Sequence, residues 1–373
     1  MDAEVDVVVV GAGVVGLAAA AALARCGREV VVIERHGRIA QETSSHNSQV
    51  IHAGLYYPAG SLKAEFCVEG RERLVARCRK EGIPHRICGK LVVATRSEEI
   101  GRLEALRRTG AANGASGLAL VDAAAARERE PHVHAVAALW SPGTGVVDAH
   151  GLCVSFAAEA EVHGARLALR TRVVAVERSG DAYRVVGEGP GGERSAVRAA
   201  ALVNAAGLKA DALAACVGLD VDALGYRIHP CKGDYFSLAP GAPVRLNGLV
   251  YPLHDQAGLG VHATVDLDGR VRFGPDATYV DRVSYQVDPR KAESFADAVR
   301  RYLPSLRSEW LEPESAGVRP KLAAPGQAFR DFVVCEESER GLPGWVNLIG
   351  IDSPGLTAAP AIGERVARLL APL

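Results

Sequence analysis

Three glycines near the N-terminus have the spacing of a loop that binds the phosphates of a dinucleotide. Gly11, Gly13 and Gly16 fit the pattern G-x-G-x-x-G; they follow an apolar, β-branched run and open an alanine-rich segment typical of a helix. Such glycines allow a tight turn and bring the pyrophosphate close to the backbone at the N-terminus of the helix. Glu34 ends the next apolar run, where a carboxylate accepts a hydrogen bond from a ribose hydroxyl. The pattern predicts a dinucleotide and does not separate NAD from FAD.

Two later segments favour FAD. Residues 200–207 form an apolar run that ends in small residues, and residues 346–357 combine an apolar run, a Gly/Ser/Pro turn and a helix start. Small side chains let the backbone approach a cofactor, and a helix that begins near Gly355 can stabilise negative charge on a reduced flavin. Read alone, the last segment has an ordinary strand-to-helix turn as its less favoured alternative. Three glycine-bearing junctions in one chain therefore predict FAD.

The composition indicates a folded protein with a large core and no nucleic-acid partner. Of 373 residues, 48% are hydrophobic and 23% are charged, and the net charge of −1 leaves no basic surplus. Eight cysteines are scattered without a C-x-x-C pair, which argues against a metal site and is typical of reduced thiols in the cytoplasm. Asp2, Glu4 and Asp6 precede the first apolar run, so we interpret it as a strand, not a secretion signal. We expect a cytoplasmic protein without a transmembrane segment, in solution or peripheral on the inner face of the membrane.

The order of the apolar runs predicts an α/β fold with two domains. Periodicity predicts helices at 14–25, 61–80, 150–164, 289–302 and 355–370, and strands at 4–10, 29–34, 166–176, 183–188, 197–204 and 345–351. Short strand-like runs between 226 and 280 favour an antiparallel sheet. We therefore predict a discontinuous, Rossmann-like FAD-binding domain and an inserted antiparallel-sheet domain that binds the substrate. The predicted FAD-binding domain comprises 1–90, 149–219 and 321–373, and the substrate-binding domain comprises 91–148 and 220–320.

These junctions, in this order, resemble the D-amino-acid-oxidase-like flavoproteins, and within them the L-2-hydroxyglutarate dehydrogenase/oxidase family. The similar segments are spread over nearly the whole chain, at 43–57, 61–64, 88–91, 232–235, 260–262, 317–320 and 350–357. Three positions depart from the family pattern: Gln49 replaces a small residue, Lys232 an arginine and Asp352 a glutamate. The resemblance implies the glutathione-reductase/D-amino-acid-oxidase type of fold.

The three junctions, one later strand and the loop that the resemblance identifies give the residues expected to contact FAD. They are Gly11, Gly13, Val14, Val15, Gly16, Glu34, Arg35, Thr43, Ser44, Ser45, Asn47, Ser48, Val173, Ala205, Ala206, Gly207, Gly350, Gly355, Leu356 and Thr357. The resemblance also implies oxidation of a 2-hydroxy acid, with L-2-hydroxyglutarate converted to 2-oxoglutarate by hydride transfer to flavin N5. Electrons would then pass to a quinone or to oxygen.

This chemistry needs a base for the hydroxyl proton, and a histidine titrates in the useful range. His52 is our candidate, because it follows the loop expected to cross the flavin. A histidine that only holds loop backbone is the alternative reading. His262, in a predicted strand of the inserted sheet, is the second candidate base and a candidate for substrate binding, although a buried histidine in a sheet is more often structural.

Cations and hydrogen-bond donors are needed for the carboxylates of such a substrate. Arg319 is our candidate, because a guanidinium grips a carboxylate through two parallel hydrogen bonds. Lys232 could bind the distal carboxylate or be a solvated lysine, and Tyr251 could donate to a carboxylate or be core packing. Gln49 is expected near the substrate face.

Two other functions stay open at this point. An amino-acid or amine oxidase would use the same scaffold, and it would be reduced by amines instead of hydroxy acids. A flavin-bearing subunit without independent catalysis would bind FAD and be reduced by no small acid or amine.

Overall fold

We describe the protein from a computed structural model, which covers residues 3–253 and 260–371. The chain forms two compact units, one of Met1–Ser45, Ala149–Pro230 and Arg319–Leu373 and the other of His46–Asp148 and Cys231–Val318. Within the described residues, no helix is long and apolar enough to cross a membrane.

The described helices and strands are numbered along the chain. The helices are α1 (Val14–Arg25), α2 (Leu62–Glu81), α3 (Ile100–Ala112), α4 (Ala123–Arg129), α5 (Ala149–Val162), α6 (Ala210–Cys216), α7 (Ala292–Arg300) and α8 (Gly355–Leu369). The strands are β1 (Ala3–Val10), β2 (Val30–Ile33), β3 (Val50–Ile51), β4 (His85–Arg86), β5 (Lys90–Ala94), β6 (Ala119–Asp122), β7 (Ala137–Ser141), β8 (Gly145–Val147), β9 (Arg166–Ala168), β10 (Arg172–Ser179), β11 (Ala182–Glu188), β12 (Arg194–Asn204), β13 (His229–Leu238), β14 (Leu249–Pro252), β15 (Ala263–Val265), β16 (Val271–Phe273), β17 (Thr278–Tyr279), β18 (Leu311–Lys321), β19 (Val333–Glu337) and β20 (Leu342–Ile349).

The first unit is built on a sheet of order β10-β11-β12-β1-β2-β9, with β20 beside β12 and β19 beside β20. The pairs β1–β12, β1–β2, β2–β9 and β12–β20 are parallel, as the predicted strand–helix–strand unit requires. Helix α1 packs against α5 and α8. A Cβ at Gly363 would lie 2.5 Å from the Ala18 carbonyl oxygen, so a glycine is what lets α8 approach the backbone of α1.

One predicted strand of this unit, 166–176, is divided into β9 and β10. Between them Arg170 has φ +53°, a left-handed conformation that an extended strand cannot contain. The amide of Arg170 donates to the His36 carbonyl at 2.9 Å, and that of Thr171 donates to the Glu34 carbonyl at 2.9 Å. The prediction of one continuous strand is therefore wrong, because hydrogen bonds to the residues that follow β2 turn the chain at this point.

A buried polar network holds β12 and β20 together near their carboxyl ends. Asn204 donates to the side-chain oxygen of Asn347 at 2.8 Å, and Asn347 donates to the fully buried Glu337 at 2.8 Å. Tyr226 donates to the same carboxylate at 3.0 Å. Burial acts to raise the pKa of Glu337, but these hydrogen bonds outweigh it and hold the pKa below its usual value. The carboxylate stays ionised and fixes the register of the two strands.

The second unit contains a sheet of order β17-β13-β16-β15-β14-β5-β7-β6, with β18 beside β13, and a small sheet of order β3-β8-β4. The predicted antiparallel arrangement is confirmed for most pairs, but β14 runs parallel to β5. One face of the large sheet packs with α7 into an apolar core that includes Val250, Phe236, Phe273 and Phe295. Side chains that alternate with those core residues point to the opposite face.

The units divide the chain differently from the predicted domains in three places: residues 46–90, residues 220–230, and residues 319–320, which belong to the first unit. Residues 46–90 belong to the second unit, because β3 pairs with β8 and the Asn113 side chain donates to the carbonyls of Gly54 and Tyr57 at 2.8 Å. Residues 220–230 belong to the first unit, where Tyr226 joins the Glu337 network. That one unit binds FAD and the other the substrate stays a prediction.

Candidate active site

Two of the three glycines in the loop of the first unit are packed too closely against backbone to be replaced by another residue. Gly11 has φ +108°, and a Cβ on it would lie 2.4 Å from the Ala205 carbonyl oxygen. A Cβ on Gly16 would lie 2.0 Å from the carbonyl oxygen of Gly11. The first glycine therefore permits the turn, and the third lets α1 pack against it, as the spacing predicted.

The side chains around this loop fix its backbone. The amide of Val14, at the start of α1, donates to Ser44 Oγ at 2.9 Å. The buried carboxylate of Glu34 accepts the amides of Ala12 and His36, each at 2.8 Å, which leaves lone pairs on both oxygens for a ribose hydroxyl. A cradle kept open by missing Cβ atoms, with a helix N-terminus and a fixed carboxylate, fits the ADP half of FAD.

The other two junctions lie at the same edge of the sheet. The Ala205 amide donates to the carbonyl of Val10, the residue that precedes the glycine loop, at 3.0 Å. Asn204 is paired with Asn347, so parallel β12 and β20 end side by side. Gly350, with φ +71°, follows β20 and has the Leu322 side chain 2.4 Å from where its Cβ would be. All three predicted junctions thus meet where cofactors bind in open α/β sheets.

The structure brings the predicted residues of the three junctions to this edge, and four other predicted cofactor residues have the following positions or partners. Val173 lies on β10 at a bulge, and Arg35 forms an ion pair with Glu42. Asn47 and Ser48 belong to the second unit, where Ser48 Oγ lies 3.1 Å from the Tyr235 hydroxyl. Their contacts with FAD stay predictions.

In the second unit, five residues form what we call the Lys90 cluster: His52, Tyr56, Lys90, Tyr251 and His262. The rings of Tyr251 and His262 stack at 3.6 Å with an interplanar angle of 8°. Lys90 Nζ lies 4.6 Å from the centre of the Tyr56 ring and 4.5 Å from that of Tyr251. His52 is close enough for the charge of Lys90 to affect its pKa. The sheet places Lys90, Tyr251 and His262 on the face opposite the α7 core.

Burial controls the charges of the cluster. Burial, together with the charge of Lys90, lowers the pKa of His52 to about 3. Burial likewise lowers the pKa of Lys90 to about 7. At neutral pH His52 is therefore a neutral imidazole, although its pKa lies below the range near neutrality that the sequence analysis expected of the base. The predicted site residues His52, Tyr251 and His262 are thus brought together around a lysine that the sequence analysis did not assign.

The signal for Lys90 was present in the sequence. It is a lysine at the start of the apolar run of β5, and it lies inside the segment 88–91 that matches the family pattern. The resemblance covers the segment but predicts no role for its lysine.

The structure does not bring Lys232 to this cluster. Along β13, the side chain of Lys232 lies on the same face as Phe236, which packs in the α7 core. Tyr235 lies on the opposite face. There it forms an ion pair with the buried Asp234 at 2.9 Å, and Asp234 also binds Lys291 at 2.7 Å. A role for Lys232 at a distal carboxylate stays a prediction, but its charge already has a partner.

Arg319 lies in β18 and is partly buried, in the last segment of the first unit. Its role in gripping a carboxylate also stays a prediction.

Gln49 occupies a backbone position that suits glycine. Its φ is +57°, and its amide donates to Asn47 Oδ1 at 2.8 Å. The departure from the family's small residue is therefore a departure in backbone preference, since a side chain in this conformation costs about 1 kcal/mol.

We predict that Gln49→Gly raises the free energy of unfolding by about 0.5 kcal/mol, since relief of the left-handed strain exceeds the entropy that glycine adds to the unfolded chain. The measurement is the midpoint of denaturant unfolding. Gln286→Gly, at an exposed loop position without a positive φ, is the matched control and should lower stability. Equal losses for both variants would contradict the strain argument.

Comparison with known proteins gives the chain relatives over its whole length. The family model described as FAD dependent oxidoreductase matches residues 6–369. A mitochondrial L-2-hydroxyglutarate dehydrogenase of Arabidopsis thaliana is 40% identical over 98% of this chain and 83% of the relative. An L-2-hydroxyglutarate dehydrogenase of Salmonella houtenae is 31% identical over 97% of this chain and 92% of the relative.

Solved structures agree on the fold. The dithionite-reduced L-α-glycerophosphate oxidase of Mycoplasma pneumoniae, with FAD bound, superimposes with a TM-score of 0.87 at 27% identity, covering 99% of this chain and 95% of the other. Glycine oxidase of Geobacillus kaustophilus gives a TM-score of 0.82 at 22% identity, over 99% and 95%. The predicted α/β fold and the predicted cofactor, FAD, are confirmed. The chain belongs to the FAD dependent oxidoreductase family.

Proposed function

We propose that the protein oxidises a 2-hydroxy acid with FAD, and that the acid is L-2-hydroxyglutarate, which becomes 2-oxoglutarate. The observation that carries the proposal is the Lys90 cluster, in which a neutral imidazole lies near a buried ammonium. A hydroxy acid supplies a hydroxyl proton for the imidazole of His52 and a carboxylate for the ammonium of Lys90. The names of the relatives in Arabidopsis thaliana and Salmonella houtenae support the substrate.

The side chains divide the work by their chemistry. His52 accepts the proton of the C2 hydroxyl at its neutral imidazole. Arg319 grips the carboxylate next to the reacting carbon through its planar guanidinium. Tyr251 and His262, stacked on each other, form an aromatic wall on the same face as Lys90. When bound, FAD supplies the acceptor for the hydride that leaves C2.

The electrons then pass to an acceptor outside the site, for which we propose a quinone or oxygen. A quinone acceptor would require the protein to work at the inner face of the membrane, and an oxygen acceptor would let it work in the cytoplasm. Oxygen consumption with substrate, compared with dye or quinone reduction in the absence of oxygen, separates these two.

An anaerobic titration of the purified holoprotein tests the proposal. We expect L-2-hydroxyglutarate to bleach the flavin absorbance with formation of one 2-oxoglutarate per flavin. The D enantiomer, glycine and L-proline are the controls and should leave the flavin oxidised. Bleaching by amines alone would replace the proposal with an amine oxidase, and a flavin that no acid or amine reduces would favour a non-catalytic flavin subunit.

A further inference from the structure

Lys90 is a buried cation in aromatic surroundings. Its side chain is 1% exposed, and across residues 3–253 and 260–371 its Nζ has no hydrogen-bond acceptor. The rings of Tyr56 and Tyr251 lie 4.6 and 4.5 Å from it. The faces of both rings offer π electrons to the ammonium, but neither ring supplies a negative charge.

Such an arrangement is unfavourable without an anion. Moving an ammonium out of water is unfavourable even after the protein relaxes, and cation–π contacts recover only part of that loss. His52 does not offset this loss, because it is neutral near pH 7 and its protonated form would repel the ammonium. A carboxylate that arrives with a ligand would offset the loss, because it brings both the charge and the hydrogen-bond acceptors.

We propose that the Lys90 ammonium binds the distal carboxylate of a dicarboxylate substrate, with the Tyr56 and Tyr251 rings packed against the carbon chain that leads to it. The inference rests on the proposed function and adds a specificity-determining residue, since it assigns recognition of the second, terminal carboxylate to Lys90. Lys90 then selects dicarboxylates over 2-hydroxy acids that end in a methyl group.

The surroundings fit the far end of the substrate. The rings of Tyr56 and Tyr251 offer an apolar surface for methylene groups, whereas the carboxylate beside the reacting carbon suits the planar fork of an arginine. Lys232, the other lysine considered for this role, lies on the opposite face of the sheet in an ion pair with Asp234. A carboxylate on Lys90 also neutralises the charge that depresses the pKa of His52, so the base becomes stronger when a dicarboxylate is bound.

The test compares two substrates of equal chain length on the holoenzyme. L-2-hydroxyglutarate carries the distal carboxylate, and L-2-hydroxypentanoate carries a methyl group in its place. The variants are Lys90→Met, which keeps the length and removes the charge, and Lys90→Gln, which keeps a polar end. Lys80→Met, at an exposed position near the end of α2, is the matched control, and Lys232→Met tests the competing cation.

We expect Lys90→Met and Lys90→Gln to lower kcat/KM for L-2-hydroxyglutarate by about 100-fold or more, mainly through KM, and to leave L-2-hydroxypentanoate within about threefold. Lys80→Met should match the wild type on both. Equal losses on the two substrates would overturn the inference, since Lys90 would then act at the reacting carbon or in folding. A selective loss in Lys232→Met, with Lys90→Met unaffected, would overturn it in favour of Lys232.

Binding without turnover gives a second measurement. Glutarate lacks the hydroxyl group, so it occupies the site without being oxidised. It should raise the Tm of the wild-type holoenzyme and leave the Tm of Lys90→Met unchanged, while pentanoate should change the Tm of neither protein.

Asp255 lies outside the described residues, and Asp255→Asn tests whether the chain itself supplies the anion that pairs with Lys90. If Asp255→Asn reproduced the loss seen with Lys90→Met, the inference would be wrong. A wild type that no 2-hydroxy acid reduces would instead refute the proposed function.

Discussion

Gly16→Ala is expected to purify without FAD. The new Cβ would lie 2.0 Å from the Gly11 carbonyl oxygen and 3.2 Å from the Cβ of Ala205, and a backbone oxygen cannot rotate away. The start of α1 must therefore shift away from the turn, which removes the phosphate cradle. We expect the flavin absorbance per mole of protein to fall at least about tenfold, and unfolding to become easier by about 1–3 kcal/mol from the overpacking.

Two further glycines make this prediction specific. Gly101→Ala, in α3 with open space around the new Cβ, is the matched control and should keep full flavin content. Gly13→Ala should also lose FAD, yet keep its stability, because its new Cβ would meet only Ser44 Oγ, at 3.0 Å, and this side chain can move. A Gly16→Ala protein with a full complement of flavin would show that the cradle does not hold the cofactor.

The glycine turn and the first two helices could be predicted because their signals are local. Helix α1 was predicted at its observed bounds, Val14–Arg25, because a glycine turn starts it and an alanine-rich run continues it. Helix α2 was predicted within one residue, since Ser61 caps its first turn through the Ala64 amide and Gly82 ends it in the left-handed conformation. Each of these features depends on residues a few positions apart.

The Lys90 cluster depends on strand pairings that a single sequence does not reveal. Lys90 reaches Tyr251 only because β5 pairs in parallel with β14, with Lys90 beside Leu249, about 160 residues later in the chain. A shift of one residue in that register would turn Lys90 toward the α7 core. Lys232 illustrates the same limit, because its strand was predicted but the face it occupies was not.

His52→Ala is expected to keep FAD and lose flavin reduction by substrate. The imidazole belongs to the second unit, so its removal leaves the glycine loop unchanged. Removing a general base lowers the rate of the chemical step by about 100- to 10,000-fold. The measurement is the single-turnover rate of flavin bleaching by L-2-hydroxyglutarate under anaerobic conditions.

Two other histidines calibrate that result. His132→Ala removes an exposed imidazole and should be reduced at the wild-type rate. His262→Ala removes the ring stacked on Tyr251, so it should weaken substrate binding more than the rate of the chemical step. If His262→Ala abolished flavin reduction and His52→Ala did not, the base would be His262.

The pH profile of kcat/KM separates the base from the cation. Burial raises the pKa of Tyr56 and Tyr251, and it raises that of Cys67 to about 12, so these groups keep their protons. His52, with a pKa of about 3, stays unprotonated throughout the neutral range, so its own titration adds no step to the profile there. Lys90 must be protonated to attract a carboxylate, and its pKa of about 7 means that kcat/KM for L-2-hydroxyglutarate falls as the pH rises above this value. L-2-hydroxypentanoate does not use the ammonium, so its kcat/KM should not fall above this pH. In His52→Ala, kcat/KM for L-2-hydroxyglutarate should be much lower at every pH, but it should still fall as the pH rises above about 7.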